Sequence, residues 1–466
     1  MDIGARLLGL GRTVLQLALL VAAVALPAQA AEGVKRVLYR KATLIDGTGV
    51  APRADMDVLV DGERIGAIFP DYMLNQKLDP AAQAKLRIVD LGGKYVMPGL
   101  IDSHVHLATP PNQRQAQAVL RRDLYGGVTA VRDMADDLRP VGELKREALV
   151  GDIASPDIYY AALMAGPAFF TDPRTAETSV GGVNGQMPWM QAVTPQTDLR
   201  LAVAAARGTG ATALKLYAAL SPDLARKITI EAHKQGLHVW AHATLYPAKP
   251  SEVVDAGVDA ISHACLLVRE PDARVPEWGQ PRAPPNLAAV RTGDNPALAR
   301  LFGDMIRRGT ILDATVWTYT PPPPEAKPSA DTPPLVPGGC DDVVGGAIAG
   351  QAFRAGVQVS AGTDNVAAWD DAWPDLFHEL DALHVKAGMP VAAVLDAATM
   401  VGARASAQDK DMGTLEPGKL ANMIVLTHNP LDDLGNLKTL VMTVKRGREY
   451  LRADFVPLTA GDITDN

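Results

Sequence analysis

Two rhythms of apolar and polar positions divide the chain. From Val34 to about Val96, short alternating runs are broken by tight turns: Lys35 to Leu44, Asp-Gly-Thr-Gly at 46–49, Met56 to Val60, Asp61-Gly62, and Arg64 to Phe69. A period of two with glycine punctuation predicts strands and hairpins. Residues 70–86 read as a partly helical insertion, and Gly92 to Met97 returns to strand. Past Ala398 a helix gives way to strands and turns again, at 412–426, at Leu440 to Val444 and around Arg446-Gly447-Arg448. The two ends are alike in kind. They are expected to assemble one β-sandwich module from residues 31–97 plus 408–455, with a domain at 98–407 inserted between them.

Inside that domain, short apolar strands alternate with helical stretches. The strand before His104 is followed by Val128 to Arg132, Asp157 to Ala162, Ala211 to Tyr217, Leu237 to Ala241, Asp259 to Ser262, Ile311 to Val316 and Val357 to Ala361. Eight strands separated by helical connections predict an α/β fold, a parallel (β/α)8 TIM-like barrel whose chemistry sits at the C-terminal strand ends. The helices expected at Gln113 to Tyr125, Thr197 to Gly208, Ser221 to Gln235, Leu298 to Arg308 and Gly345 to Ala355 repeat apolar positions on one face, and several stop at glycine. Residues 163–196, 271–295 and 320–340 interrupt the rhythm with Gly-Pro, Gly-Gly or proline-rich sequence, as loops over the active face would.

The N-terminus changes the expected compartment. Arg6 and Arg12 precede an apolar run from Val14 to Leu26, and Pro27-Ala28-Gln29-Ala30 has cleavage-site spacing, so residues 1–30 read as a signal peptide and the protein as periplasmic or secreted. The run is short for a membrane span, and no stable span is expected after its removal. A formal net charge of −8, with no basic block, argues against a nucleic-acid partner. Cys265 and Cys340 are the only cysteines. An oxidising compartment permits a disulfide between them, and buried free thiols fit the sequence equally.

Candidate chemistry lies at the strand ends. Gly-Leu-Ile-Asp-Ser-His-Val-His-Leu-Ala at 99–108 places His104 and His106 on one face of a strand, half of a metal site. Lys215 stands in Ala-Leu-Lys-Leu-Tyr, His242 ends Val-Trp-Ala-His, His263 ends Ala-Ile-Ser-His, and Asp364 ends Ala-Gly-Thr-Asp. Taken singly, the lysine reads as a snorkelling side chain, the histidines as core residues and the aspartate as a helix cap. At corresponding ends of different strands, they point to a shared metal. Tyr217 and Tyr246 are candidate donors to an oxyanion or a carboxylate. Arg132 is a candidate carboxylate ligand or a seal of the barrel, and Asp133 a support behind the metal. His378 and His384 read as surface or helix residues.

These motifs resemble the amidohydrolase superfamily, in its imidazolonepropionase-like and Xaa-Pro dipeptidase (prolidase)-like branch. Val-Thr-Ala-Val-Arg-Asp at 128–133 and Gly-Thr-Leu-Glu-Pro-Gly-Lys-Leu-Ala at 413–421 also resemble that pattern. Two positions depart from it: Ser262 stands where glutamate is usual, and Asn422 where aspartate is usual. The resemblance implies two divalent metal ions, Zn2+ first and Mn2+ or Co2+ as alternatives. A carbamate formed on Lys215 from carbon dioxide would join one ion held by His104, His106 and Asp364 to another held by His242 and His263. It further implies attack by a metal-bridging hydroxide on the amide bond of an Xaa-Pro-like dipeptide or an N-acyl amino acid, with Asp364 moving the proton, and allows a homo-oligomer. A lactonase, or an organophosphate or aryl ester hydrolase, on the same centre is the rival expectation, and a metal-containing binding protein without turnover the remote one.

Overall fold

The apolar runs of the inserted domain are short because each strand is buried on both faces, and in the computed structural model they close on one another. The structure describes residues 36–109, 111–281, 283–321, 340–364, 371–459 and 463. The signal-peptide reading of 1–30 lies outside these residues, as does most of the 320–340 loop. Among the described residues no helix is long and apolar enough to cross a membrane.

The N-terminal strands are β1 (Arg36–Leu44), β2 (Arg53–Asp61), β3 (Arg64–Pro70), β4 (Arg87–Asp90) and β5 (Tyr95–Pro98). The barrel strands are β6 (Leu100–Val105), β7 (Val128–Asp133), β8 (Asp157–Ala165), then, after the short strands β9 (Gln186–Met187) and β10 (Met190–Ala192), β11 (Ala213–Leu216), β12 (His238–His242), β13 (Ala260–Ser262), β14 (Ile311–Asp313) and β15 (Val359–Ser360). Parallel pairing runs unbroken from β6 through β7, β8, β11, β12, β13 and β14 to β15. Two backbone bonds tie the last strand to the first: Ser103 N donates to Ala361 O, and Asp364 N to His104 O, both at 2.8 Å. Every residue of β6 and of β7 is buried, as continuous apolar runs in a covered parallel sheet require.

The connecting helices start and stop where local chemistry directs. Asn112, Ser221 and Asp341 side chains cap the helices Gln113–Tyr125, Pro222–Lys234 and Asp342–Ala355 by accepting backbone N–H groups. Gly309 and Gly356 end Pro296–Arg308 and Asp342–Ala355 in the left-handed conformation. A further helix, Leu138–Val150, is capped by Asp137 and buries Leu138, Val141, Leu144 and Ala148. The 163–196 insertion is ordered by the barrel itself, since β10 pairs with the end of β8.

The final strands are β16 (Met423–Leu426), β17 (Leu440–Lys445) and β18 (Arg448–Leu451). They join β1 to β5 in one mixed sheet of order β18-β17-β16-β5-β1-β2-β3, with β4 beside β1. The chain ends meet where β16 runs antiparallel to β5, Val425 opposite Val96. Cys265 and Cys340 form a disulfide with Cα atoms 5.7 Å apart, linking the turn after β13 to the start of helix Asp342–Ala355.

Candidate metal centre

Six polar side chains from the ends of five barrel strands face one another. β6 brings His104 and His106 to the rim, and Asp364 arrives four residues beyond β15 in a left-handed turn, φ 50°. The Nε2 atoms of His104 and His106 lie 3.2 and 3.4 Å from the same Asp364 oxygen. Asp102 fixes this approach. One of its oxygens accepts the backbone N–H groups of His104 and Thr363, both at 3.0 Å, and the other accepts the Thr363 hydroxyl at 2.9 Å. His263, also left-handed at φ 76°, places Nδ1 3.6 Å from the second Asp364 oxygen and 2.9 Å from the Thr315 hydroxyl. His242 lies with its ring centroid 4.7 Å from that of His263. Lys215 is fully buried on β11, and its Nζ donates to Ser262 Oγ at 3.2 Å.

One ligand atom from each of His104, His263 and Asp364 lies within 4.8 Å of the other two. The supporting bonds suit a divalent cation. His104 Nδ1 is 2.7 Å from Asp313, and His106 Nδ1 is 2.8 Å from Asp136, so a carboxylate holds the rear nitrogen of each ring and its Nε2 faces the cluster. Imidazole nitrogen with carboxylate oxygen is a donor set for zinc, manganese or cobalt.

Electrostatics sort the same groups by role. Burial pushes the Lys215 amine down to about 7, against the pull of Asp313 and Asp364, so a neutral amine is accessible near physiological pH. Burial and neighbouring cations hold His242 well below its usual value, and burial takes His263 down to about 3. Burial opposes the charged forms of Asp364 and His106 as well. The surrounding imidazoles outweigh it for Asp364, which stays well below the carboxylate range, and Asp136 with Asp364 raises His106 to about 10.

The remaining candidates separate. Arg132 seals the barrel and is not free for a substrate carboxylate: its guanidinium is buried, donates to Ser103 O, Ala405 O and Asp313, and lies over the Trp240 ring. Asp133 is buried, raised well above its usual value by burial and by Asp136, and accepts Leu107 and Ala135 N–H groups. Tyr217 lies against His242 with ring centroids 3.8 Å apart, whereas Tyr246 packs farther out on Trp278 at 5.8 Å. His378 stacks on Trp317, and His384 bonds Met389 O. Sequence reasoning passed over Asp102, Asp136, Asp313 and Arg174, and Tyr319, whose ring meets His263 edge-on at 6.3 Å. Asp313 had a readable signal, because Ile-Leu-Asp is an apolar run ending in a carboxylate, as Ala-Ile-Ser-His ends in an imidazole. Arg174 had none. It sits in the 163–196 insertion, paired with Asp172 at 2.8 Å and beside the Tyr217 phenol.

Known proteins resemble this chain in part of its sequence and in most of its fold. The Amidohydrolase family model matches residues 345–450. A dihydroorotase of Syntrophobacter fumaroxidans is 32% identical over 108 residues, 23% of each chain, so the match spans about a quarter of that relative. Likeness in three dimensions is wider. A crystal structure of a Xaa-Pro dipeptidase with bound methionine covers 90% of this chain and 100% of its own, with 21% identity and a TM-score of 0.67. The two chains share one fold. A molinate hydrolase also shares it, at 20% identity, a TM-score of 0.65 and coverage of 92% and 99%. The shared fold thus accommodates differently named hydrolases, and the residues of this chain carry any argument about substrate. Of its two departures, Ser262 relays Lys215 to Asp313, donating to the carboxylate at 2.9 Å, and Asn422 accepts the Arg446 backbone N–H at 2.8 Å, far from the rim ligands.

Proposed function

We propose that this protein is an exported, metal-dependent amidohydrolase that cleaves the amide C–N bond of a dipeptide or an N-acyl amino acid. The observation that carries the reading is the convergence of His104, His106, His263 and Asp364 with buried Lys215, backed by carboxylates on the far nitrogens of the first two rings. His104, His106 and Asp364 would hold one divalent ion, zinc first, and His242 and His263 a second, with Lys215, once carboxylated, as a further oxygen ligand. Bound there, such ions supply Lewis acidity and an acidic water.

The chain's own groups do the rest. Burial disfavours ammonium on Lys215, which leaves the neutral amine that carboxylation by carbon dioxide requires. Asp364, kept ionised by its histidine neighbours, takes a proton from the attacking water and returns it to the leaving nitrogen. Arg174 and Tyr217 stand together at the edge of the cluster and are assigned to the free carboxylate of the substrate, with Asp172 holding the guanidinium in orientation. The Cys265–Cys340 disulfide supports the exported compartment.

Elemental analysis of chelator-free protein, paired with assays of Xaa-Pro dipeptides, N-acyl amino acids, a lactone and a phosphotriester, tests this. About two metals per chain with turnover of carboxylate-bearing amides is expected. Turnover of the lactone or phosphotriester alone moves the substrate to the ester class, and no turnover by metal-replete protein removes the hydrolase reading.

A further inference from the structure

Five rings from four segments form a continuous path leading away from the metal cluster. Tyr217 lies 3.8 Å from His242, Phe169 stacks on Tyr217 at 4.4 Å and 28°, and Trp278 meets Phe169 edge-on at 5.5 Å. Tyr246 then meets Trp278 at 5.8 Å. Phe169 and Trp278 belong to the insertions at 163–196 and 271–295, outside the eight-stranded scaffold. Phe169 is buried, whereas Tyr217 and Trp278 are only half-buried and keep ring surface accessible. Tyr246 is buried as Phe169 is, so Tyr217 and Trp278 are the rings of the path that a ligand can reach. Arg174, in the same insertion as Phe169, interacts with the Tyr217 phenol, so the guanidinium and the ring path meet at Tyr217.

We propose that this ring path receives the side chain of the residue on the carboxylate side of the scissile bond, and that it selects a large planar or branched apolar group. The inference rests on the assignment of Arg174 and Tyr217 to the substrate carboxylate. A carboxylate held there brings its α-carbon, and so the side chain, alongside Tyr217 and Phe169. A hydrogen or methyl at that carbon touches one ring at most, while a phenyl or indole group spans from Tyr217 towards Trp278, the two accessible rings, and gains offset or edge-to-face contacts at both. Trp278 is the specificity-determining residue of the wall, because its half-buried ring is the accessible end of the path, with buried Tyr246 behind it.

Two measurements on the purified full chain separate this inference from the hydrolase reading. Calorimetric binding of free L-phenylalanine, L-leucine and glycine reads the wall without turnover. Phenylalanine is expected to bind on the order of tenfold tighter than glycine, the scale of a hydrophobic pocket contact. Trp278→Ala should abolish most of that ratio, and Trp278→Phe should restore it. The same order is expected in kcat/KM for the N-acetyl derivatives. Equal affinities, or a ratio that Trp278→Ala leaves unmoved, overturn the proposal. Selective binding without turnover of any acyl amino acid would sink the hydrolase reading alone, and turnover without selectivity would sink the ring path alone.

Discussion

Asp157 and Asp313 are both buried aspartates on barrel strands, one opening β8 and the other closing β14, and they are used in opposite ways. Asp157 accepts Lys445 Nζ at 2.9 Å and Arg446 Nε on both oxygens at 3.0 and 2.9 Å; Lys445 also donates to Ala148 O, and Arg446 to Glu63. Each charge in that knot is answered by another, and its effect is to fasten the strand from the far end of the chain to the barrel. Asp313 takes three donors on one oxygen, from His104, Arg132 and Ser262, and its other oxygen is buried with no hydrogen-bond partner among the described residues. Gly362 makes room for that oxygen, since a Cβ there would lie 2.4 Å from it. Around Asp313 the charges satisfy only the rear of the histidine rings. A mutually satisfied cluster binds the fold together, whereas one that leaves its forward nitrogens on another ligand is arranged to hold something else.

The sharpest break between the two clusters comes from the rim. Asp364→Asn is expected to lower kcat by about 10²–10⁴-fold while the circular dichroism spectrum stays unchanged. A loss of less than about tenfold takes Asp364 out of proton transfer. At the other cluster the effect should appear in stability. Asp157→Ala leaves Lys445 buried without its carboxylate and is expected to cost about 3–5 kcal/mol in urea unfolding, with kcat per folded molecule within about twofold of the parent. If that variant loses activity before it loses stability, the two clusters are not distinct in role.

Asp313→Asn lies between these cases. It keeps the shape but weakens the carboxylate's hold on His104, and metal affinity measured against a competing chelator is expected to fall about 10–100-fold. A variant that melts earlier with undiminished affinity would make Asp313 a partner of Arg132 alone.

The smallest effect belongs to an exposed pair at the opposite end of β12 and β13. His233 Nε2 is 2.9 Å from Asp259, and that bond raises the imidazole above its usual value. Its contribution is full below about pH 6.5 and is lost as pH rises through the raised value. Burial works against ionised Asp259, but hydrogen bonds from His233 and His238 lower it, so its contribution is present above about pH 4 and is lost as pH falls through the lowered value. Both groups are more than a third exposed, so His233→Ala should cost at most about 1 kcal/mol, greatest between those two limits. A loss that is the same at pH 5 and pH 9 would refute the pairing.

Much of this was legible along the chain. Strand positions, the joining of both ends in one β module and the polar residues at the rim all follow from local rules, because a strand buried on both faces must be apolar and short, and a strand end beside a pocket is where a polar residue costs least; that the module is one mixed sheet, where a sandwich was expected, did not. The sequence could not tell a floor residue from a rim residue within one strand. Arg132 and Asp133 are neighbours on β7, yet Arg132 is spent on Asp313 and backbone carbonyls, and Asp133 on the turn after β6. Which way each points depends on the twist and closure of the barrel.

What the sequence determined by itself, then, was the alternation of elements and the chemical kinds of side chain available at their ends. Tertiary structure alone decided the pairings: Cys265 with Cys340 across 75 residues, Asp313 behind His104 across 209, and Arg174 beside Tyr217 from an insertion with no periodic signal. The physical reason is range. Periodicity and capping act over a few residues and leave their mark on composition, whereas a contact between distant residues exists only once the barrel has closed and brought its strand ends within a few ångströms of one another.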